Sequence, residues 1–154
     1  MLTLYYSPGA CSLAPHVLLE ELGLEFEPRR VVIAEGGHRS EEYLKINPRG
    51  RVPAIVVDGA VVTEVPAILT YLASLKPDAQ LLPPAGTVGL AKAHELMAWL
   101  SSTLHIAYAQ LWRPERFLPA HEDPALAIPG GEPPPPPGED TTAPSASFSV
   151  SCSN

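Results

Sequence analysis

The dipeptide Asp58-Gly59 lies between two short apolar runs and constrains the fold more than any other local pattern in the chain. Asp-Gly readily supplies the positive φ values that a type I′ turn requires at both central positions. Residues 53–57 and 60–63 therefore predict two antiparallel strands joined by a tight turn. With 154 residues, 45% of them hydrophobic, the chain can bury one domain core around this hairpin and part of a second.

The segment before the hairpin alternates between strand and helix. Residues 1–6 alternate apolar and polar side chains, which predicts a strand. The apolar spacing of residues 13–22 predicts a helix that ends at Gly23. Residues 26–33 predict a second strand, and their final run Val31-Val32-Ile33 suits a strand buried on both faces in a parallel pair.

After the hairpin, residues 64–75 return to helical spacing. The order β-α-β followed by β-β-α predicts an α/β fold: a thioredoxin-like domain, residues 1–77, with a four-stranded mixed sheet and helices on both faces. A proline-containing linker, residues 78–86, leads to a long amphipathic helix with its N-cap at Thr87. The long helix has no partner of its own in the rest of the chain, so its apolar stripe must be covered by the first domain, another helix or a second subunit.

Composition changes sharply near residue 128. Residues 129–154 contain five consecutive prolines and scarcely an apolar anchor, so they cannot bury enough surface to offset the entropy of ordering. The sequence predicts a disordered tail, with a polyproline ligand for an aromatic-lined groove as the alternative. We further expect an out-of-frame reading or a truncation scar, because a GC-rich gene read in the wrong frame yields Pro, Gly, Ala and Ser. The other reading frames of the coding DNA would test this.

Charge and cysteine usage exclude several classes of protein. A net charge of −7 argues against a nucleic-acid partner, which usually meets a basic face. Neither a signal-peptide pattern nor an apolar stretch of about 20 residues is present, so we expect a cytoplasmic protein with no membrane partner. Cys11 and Cys152 do not form a disulfide framework, and the five histidines lack metal-ligand spacing, so no metal is expected.

Cys11 follows Pro8-Gly9 at the predicted start of the first helix. A thiol in that position faces unpaired backbone N–H groups and the positive end of the helix dipole, which favour the thiolate. The alternative is a small cysteine that only packs.

Two later positions converge on this cysteine if the fold is thioredoxin-like. A cis Pro53 would expose the backbone of Val52 to an extended peptide ligand, whereas an ordinary trans proline would only begin the strand. Glu64, at the next strand-to-helix junction, suits the ammonium of an α-amino acid beside helix N–H groups that suit its carboxylate. Its alternative role is to interact with the helix dipole.

Five motifs together carry a resemblance to a known family. They are residues 5–16 (YYSPGACSLAPH), 46–54 (INPRGRVPA), 63–64 (TE), 67–72 (AILTYL) and 104–105 (LH). In this order the chain, to about residue 128, resembles bacterial glutathione S-transferases, the beta class in particular. The resemblance implies a homodimer that takes glutathione as co-substrate. It also implies an all-helical second domain, of which residues 87–128 would be an incomplete all-α domain.

The resemblance also implies a site. The implied catalytic residues are Cys11, Ser12 and His105. The implied glutathione-binding residues are Arg51, Val52, cis-Pro53, Glu64 and Val65. Cys11 would approach the glutathione sulfur or form a mixed disulfide with it, and Glu64 would bind the γ-glutamyl end.

Three departures from the family pattern predict reduced affinity for glutathione. Val65 replaces a Ser or Gly and so loses a hydroxyl donor, and Ala98 replaces an Asn. Residues 34–37 lack the basic residue that family members place near the glycyl carboxylate, with His38 or Arg39 as the stand-in.

The leading functional prediction is a transferase that adds the glutathione thiolate to small electrophiles. A glutathione-dependent disulfide reductase, a non-catalytic binding module and an inactive fragment of the same fold are the alternatives.

Overall fold

The computed structural model describes residues 1–114 and Phe117. A four-stranded sheet contains β1 (Leu2–Tyr6), β2 (Glu27–Arg30), β3 (Ala54–Val57) and β4 (Ala60–Thr63), in the order β2-β1-β3-β4. β1 pairs with β2 in parallel and with β3 antiparallel, and β3 pairs with β4 antiparallel. The predicted α/β, thioredoxin-like sheet is confirmed.

Helices surround this sheet and continue beyond it. The α-helices are α1 (Leu13–Glu21), α2 (Glu41–Ile46), α3 (Val65–Leu75), α4 (Val88–Trp99) and α5 (His105–Trp112). A π-helical turn, Leu100–Leu104, joins α4 to α5. Short 3₁₀ turns lie at Ile33–Glu35, Gly37–Arg39 and Pro77–Ala79. None of the helices described within residues 1–114 is long and apolar enough to cross a bilayer.

The predicted hairpin is present. Asp58 and Gly59 have φ values of +49° and +87°, and Val57 lies opposite Ala60 in the register. Both central residues therefore take the left-handed conformations that a type I′ turn needs. α3 begins at Val65 and not at Glu64, because Glu64 has a φ of +68° and cannot continue a right-handed helix.

The predicted second strand is too long and its predicted burial is wrong. β2 ends at Arg30, its residues are mostly exposed, and it forms an edge of the sheet. Val31 donates its N–H to Tyr6 O at 2.7 Å, and the chain then turns into the 3₁₀ segment at Ile33–Glu35. Val31 is buried just after the end of β2, which accounts for an apolar residue here without a central strand.

Gly23 ends the first helix as predicted. It has a φ of +56°, and its N–H donates to Glu20 O at 2.9 Å. Leu24 N–H donates to Leu19 O at 3.1 Å, which completes the paired bonds of a Schellman motif. Lys76 Nζ donates to Leu22 O, so the end of α1 is also held by a residue that follows α3.

The core lies on both faces of the sheet. One cluster joins β1 and β3 to α1 and α3, and its fully buried members are Leu4, Leu19, Ile55, Ile68 and Leu72. A second cluster contains Val31, Tyr43 and Val52, with Tyr5 packed against it. Leu4 and Tyr5 belong to different clusters because successive strand residues point to opposite faces. The helices on both faces are therefore confirmed.

Sequence reasoning missed α2, although its start carries a recognisable signal. Ser40 is the N-cap, and its side chain accepts the N–H of Tyr43 at 3.2 Å. Glu41 and Glu42 occupy the first turn, where negative charge favours the helix dipole. With only six residues, the helix is too short for apolar periodicity to reveal it.

The predicted N-cap of the long helix is confirmed. Thr87 Oγ1 accepts the N–H of Leu90 at 3.2 Å, and α4 follows directly. Thr70 Oγ1 on α3 donates to Pro66 O at 2.8 Å and lies 3.4 Å from His94 Nε2 on α4, so the two helices are in contact.

Residues 1–106 form one compact unit, and a second unit begins at Ala107. The domain boundaries at 1–77, 78–86 and 87–128 stay predictions. The predicted tail, 129–154, and most of residues 115–128 lie outside the described part of the chain.

Tyr43 is expected to ionise only at high pH. Burial raises the pKa of Tyr43 from its ordinary value of 10.0 to about 12, so the folded state holds this proton more tightly than the unfolded chain. The stability that this provides is complete below pH 10 and is lost as the pH rises through 12. An ultraviolet absorbance titration should show a late step that Tyr43→Phe removes and Tyr108→Phe retains. Loss of the late step in the Tyr108 variant alone would contradict the assignment.

Candidate active site

The candidate site is formed where three connecting segments meet the end of the sheet. These are the β1–α1 loop with Cys11, the turn before β3 with Val52, and the β4–α3 junction with Glu64. The Val52–Pro53 peptide bond is cis, as predicted. Cys11 Sγ lies 3.4 Å from Val52 O, so the first two segments are in direct contact.

The Cys11 thiol is exposed and donates a hydrogen bond to the Val52 carbonyl. That bond requires the protonated thiol, since a thiolate has no proton to donate. Cys11 precedes α1 by two residues, and the nearby N–H groups of Leu13 and Ala14 donate to Ala10 O and Cys11 O. The expected interaction of this thiol with unpaired N–H groups at the helix start stays a prediction.

Ser12 supports the loop that carries Cys11. Its side chain is fully buried, and its hydroxyl donates to Ser7 O and accepts from Ser7 N, both at 3.0 Å. These two bonds hold the Cys11 loop to the residue that follows β1. The predicted catalytic role of Ser12 stays a prediction.

The turn before Pro53 is anchored by residues that sequence reasoning did not assign to the site. Arg51 O accepts hydrogen bonds from Tyr43 Oη and Asn47 Nδ2, both at 2.7 Å. Asn47 Oδ1 accepts the N–H of Arg49 at 3.1 Å. Gly50 has a φ of +59°, and a Cβ there would lie 2.8 Å from His38 O. The turn is thereby held by hydrogen bonds to Arg51 O and by the close approach of Gly50 to the His38 backbone. The side chain of Arg51 is exposed.

The β4–α3 junction presents one carboxylate and one backbone N–H. Glu64 is the N-cap of α3, and Val65 is the first helical residue, whose N–H has no acceptor within the helix. Arg49 Nη1 lies 3.2 Å from Glu64 Oε1. Arg49 was not among the predicted site residues, although it lies within the Asn47–Pro53 motif.

His105 is the first residue of α5 and is exposed. Its side chain has no hydrogen bond or ion pair to the other residues in the 1–114 range. Its predicted action at the thiol site therefore stays a prediction. The described residues contain no group of three or more His, Cys, Asp or Glu side chains suited to a metal ion.

The segment that contains most of the candidate site matches a known protein family. Residues 1–74 match the family model described as the glutathione S-transferase, N-terminal domain. Residues 1–74 therefore belong to the glutathione S-transferase N-terminal domain family. This domain includes the Cys11, Val52 and Glu64 positions.

Relatives extend the similarity past the glutathione S-transferase domain boundary. The glutathione S-transferase GstA of Escherichia coli O157:H7 is 39% identical over 114 residues, which cover 73% of this chain and 57% of the relative. The glutathione S-transferase GST-4.5 of Xanthomonas campestris is 35% identical over 115 residues, which cover 75% of this chain and 55% of the relative. The chain thus spans little more than half the length of these glutathione S-transferases.

Solved structures agree with the same assignment. A glutathione transferase homologue from Sulfitobacter, with bound glutathione, has a TM-score of 0.72 and 39% identity, covering 79% of this chain and 58% of that one. The beta-class glutathione S-transferase of Sphingomonas chungbukensis has a TM-score of 0.67 and 40% identity, covering 81% and 61%. The predicted resemblance to bacterial, beta-class-like glutathione S-transferases is confirmed.

Proposed function

We propose that this chain binds glutathione and conjugates its thiolate to small electrophiles. The observation that supports this most directly is the contact between an exposed cysteine and the carbonyl of Val52, beside the cis Pro53 turn. The Sulfitobacter homologue described with bound glutathione provides further support.

In the proposed complex, the backbone of Val52 pairs with the cysteinyl residue of glutathione, as in the addition of one short strand. The Glu64 carboxylate receives the ammonium of the γ-glutamyl end, and the Val65 N–H faces its carboxylate. These contacts hold a flexible tripeptide in one orientation before reaction. The anchored Asn47–Arg51 turn keeps the Val52 backbone in place.

Cys11 lies where the glutathione sulfur arrives. Its S–H, which donates to Val52 O in the free site, turns to the glutathione sulfur and stabilises the thiolate. The glutathione thiol gives its proton to solvent or to His105, the sulfur attacks an electrophilic carbon, and the leaving group departs with the bonding electron pair.

Disulfide reduction is the second candidate, because the Cys11 thiol is exposed. Ionised Cys11 would attack a glutathione mixed disulfide, take the glutathionyl group and release the other thiolate. A second glutathione would then reduce the Cys11 mixed disulfide, giving glutathione disulfide and restoring Cys11. Loss of glutathione binding would instead favour a non-catalytic module or an inactive fragment.

A homodimer in the cytoplasm completes the proposal. Within residues 1–106, Leu96, Trp99 and Leu100 expose between 41% and 55% of their surface. Apolar side chains grouped in this way are typical of a face that another element or subunit covers. Gel filtration with light scattering tests the assembly.

Replacing Glu64 with alanine is expected to weaken glutathione binding about ten-fold, because a charge-assisted contact to the ligand ammonium is lost. Isothermal titration of the full chain measures it. Glu27→Ala is the matched control, since Glu27 is also an exposed partner of an arginine, at 3.1 Å on β2. If millimolar glutathione does not bind the unaltered protein, the proposed function is wrong.

A further inference from the structure

The ion pair between Arg49 and Glu64 matches the charges of an amino-acid head group. Such a group carries an ammonium and a carboxylate on one carbon, and it is complementary to a carboxylate and a guanidinium lying side by side. Arg49 Nη1 and Glu64 Oε1 are 3.2 Å apart, although 15 positions separate the two residues in sequence. The β4–α3 junction therefore presents both charges that the γ-glutamyl end of glutathione needs.

Both side chains keep groups that could bind a ligand. The side chains of Arg49 and Glu64 are 67% and 62% exposed, and their contact joins Nη1 to Oε1. Among the residues that the structure describes, Glu64 Oε2 has no hydrogen-bond partner, so it could receive an ammonium. A guanidinium has five N–H donors, and one is used in this contact within the described residues, so the others can form the forked contact that a carboxylate favours.

The backbone of Arg49 is held in place, although its side chain is exposed. Its N–H donates to Asn47 Oδ1, and Asn47 is almost fully buried. Gly50 follows with a φ of +59°, and a Cβ added at this position would lie 2.8 Å from His38 O. The guanidinium is thus presented from a fixed turn toward the start of α3.

Because residue 65 is a valine, a ligand carboxylate at the start of α3 would need a further hydrogen-bond donor from elsewhere. A carboxylate at the start of α3 meets the Val65 N–H, but valine has no hydroxyl to add a side-chain hydrogen bond. Arg49 is the cation already in contact with this junction. We propose that Arg49 recognises the α-carboxylate of the γ-glutamyl residue while Glu64 binds its ammonium, which makes Arg49 a specificity-determining residue.

This inference rests on the proposed binding of glutathione, and two ligands separate the two ideas. One ligand is glutathione. The other is 4-aminobutyryl-cysteinyl-glycine, which keeps the ammonium and lacks only the α-carboxylate. Isothermal titration compares both ligands on the full chain and on its Arg49→Met variant.

Arg49→Met is expected to weaken glutathione binding about ten-fold and to leave the affinity for the decarboxylated ligand within about two-fold. Arg49→Lys should recover part of the loss, because it keeps the charge without the fork. Arg29→Met is the matched control, since Arg29 is exposed and lies 3.1 Å from Glu27, and it should bind both ligands normally. Circular dichroism confirms that each variant is folded.

Equal weakening for both ligands would overturn the inference, because Arg49 would then act only by holding Glu64. Unchanged binding of glutathione by Arg49→Met would also overturn it. Failure of the unaltered protein to bind glutathione would reject the proposed function and the inference together. These results are distinguishable, because only the last involves the unaltered chain.

Discussion

Replacing Cys11 with alanine is expected to lower the rate of glutathione conjugation by about 10- to 100-fold while glutathione still binds. A hydrogen bond to a charged group contributes about 1.5–3 kcal/mol, and the thiolate would lose this bond from Cys11. Binding is retained because it depends on the Val52 backbone and the Glu64 carboxylate. Steady-state kinetics with an aryl halide measures the rate, and titration with glutathione measures the affinity.

A serine variant separates the two proposed reactions. Cys11→Ser keeps an O–H donor, so it should retain part of the conjugation rate, but it cannot form the mixed disulfide that reduction requires. Cys152→Ala controls for the second thiol and should behave as the unaltered chain in both assays. Full conjugation by Cys11→Ala would contradict the role of Cys11 as a donor. Disulfide reduction by either Cys11 variant would contradict the second candidate mechanism.

Replacing Ile68 with alanine is expected to lower the free energy of unfolding by about 2–5 kcal/mol. Ile68 lies on α3, is fully buried, and packs against the β1 and β3 side of the sheet. The substitution removes apolar contacts and leaves a cavity that the neighbouring side chains fill only in part. Since domains are typically stable by about 5–15 kcal/mol, this loss would be a large fraction of the total. Urea unfolding followed by circular dichroism measures it.

Leu75→Ala provides the comparison on the same helix. Leu75 is 42% exposed, so its truncation should destabilise the domain clearly less than the change at Ile68. Equal losses at the two positions would mean that burial of the α3 face against the sheet does not determine the stability of this domain.

The local elements that sequence reasoning predicted best have signals confined to a few neighbouring residues. The Asp58-Gly59 turn, the Gly23 helix end and the Thr87 N-cap were all confirmed, because each depends on one residue's backbone preference or hydrogen bond. The short helix α2 was missed and β2 was made too long. The six residues of α2 are too few for apolar periodicity to reveal a helix. The end of β2 could not be predicted from periodicity because the burial of its last residues depends on distant segments.

The sequence predicted a candidate site whose residue roles stay predictions, and its geometry followed only from the fold. The motifs pointed to Cys11, cis-Pro53 and Glu64, and the structure brings Cys11 against the Val52 carbonyl. Sequence reasoning expected Ser12 near the ligand, yet its hydroxyl is committed to the Ser7 backbone. Arg49 was not among the predicted site residues, since its contact partner Glu64 is 15 positions away and only the fold brings the two together.

The order of the four strands with α1 and α3, the hairpin turn and the family of the first domain were determined by the sequence alone. They follow from side-chain periodicity and backbone preferences that act between near neighbours along the chain. The exposure of β2 at a sheet edge, the contact of Cys11 with the Val52 carbonyl and the pairing of Arg49 with Glu64 were decided only by the tertiary structure. Each of these depends on which distant segments of the chain meet in space, and local sequence patterns do not specify those contacts.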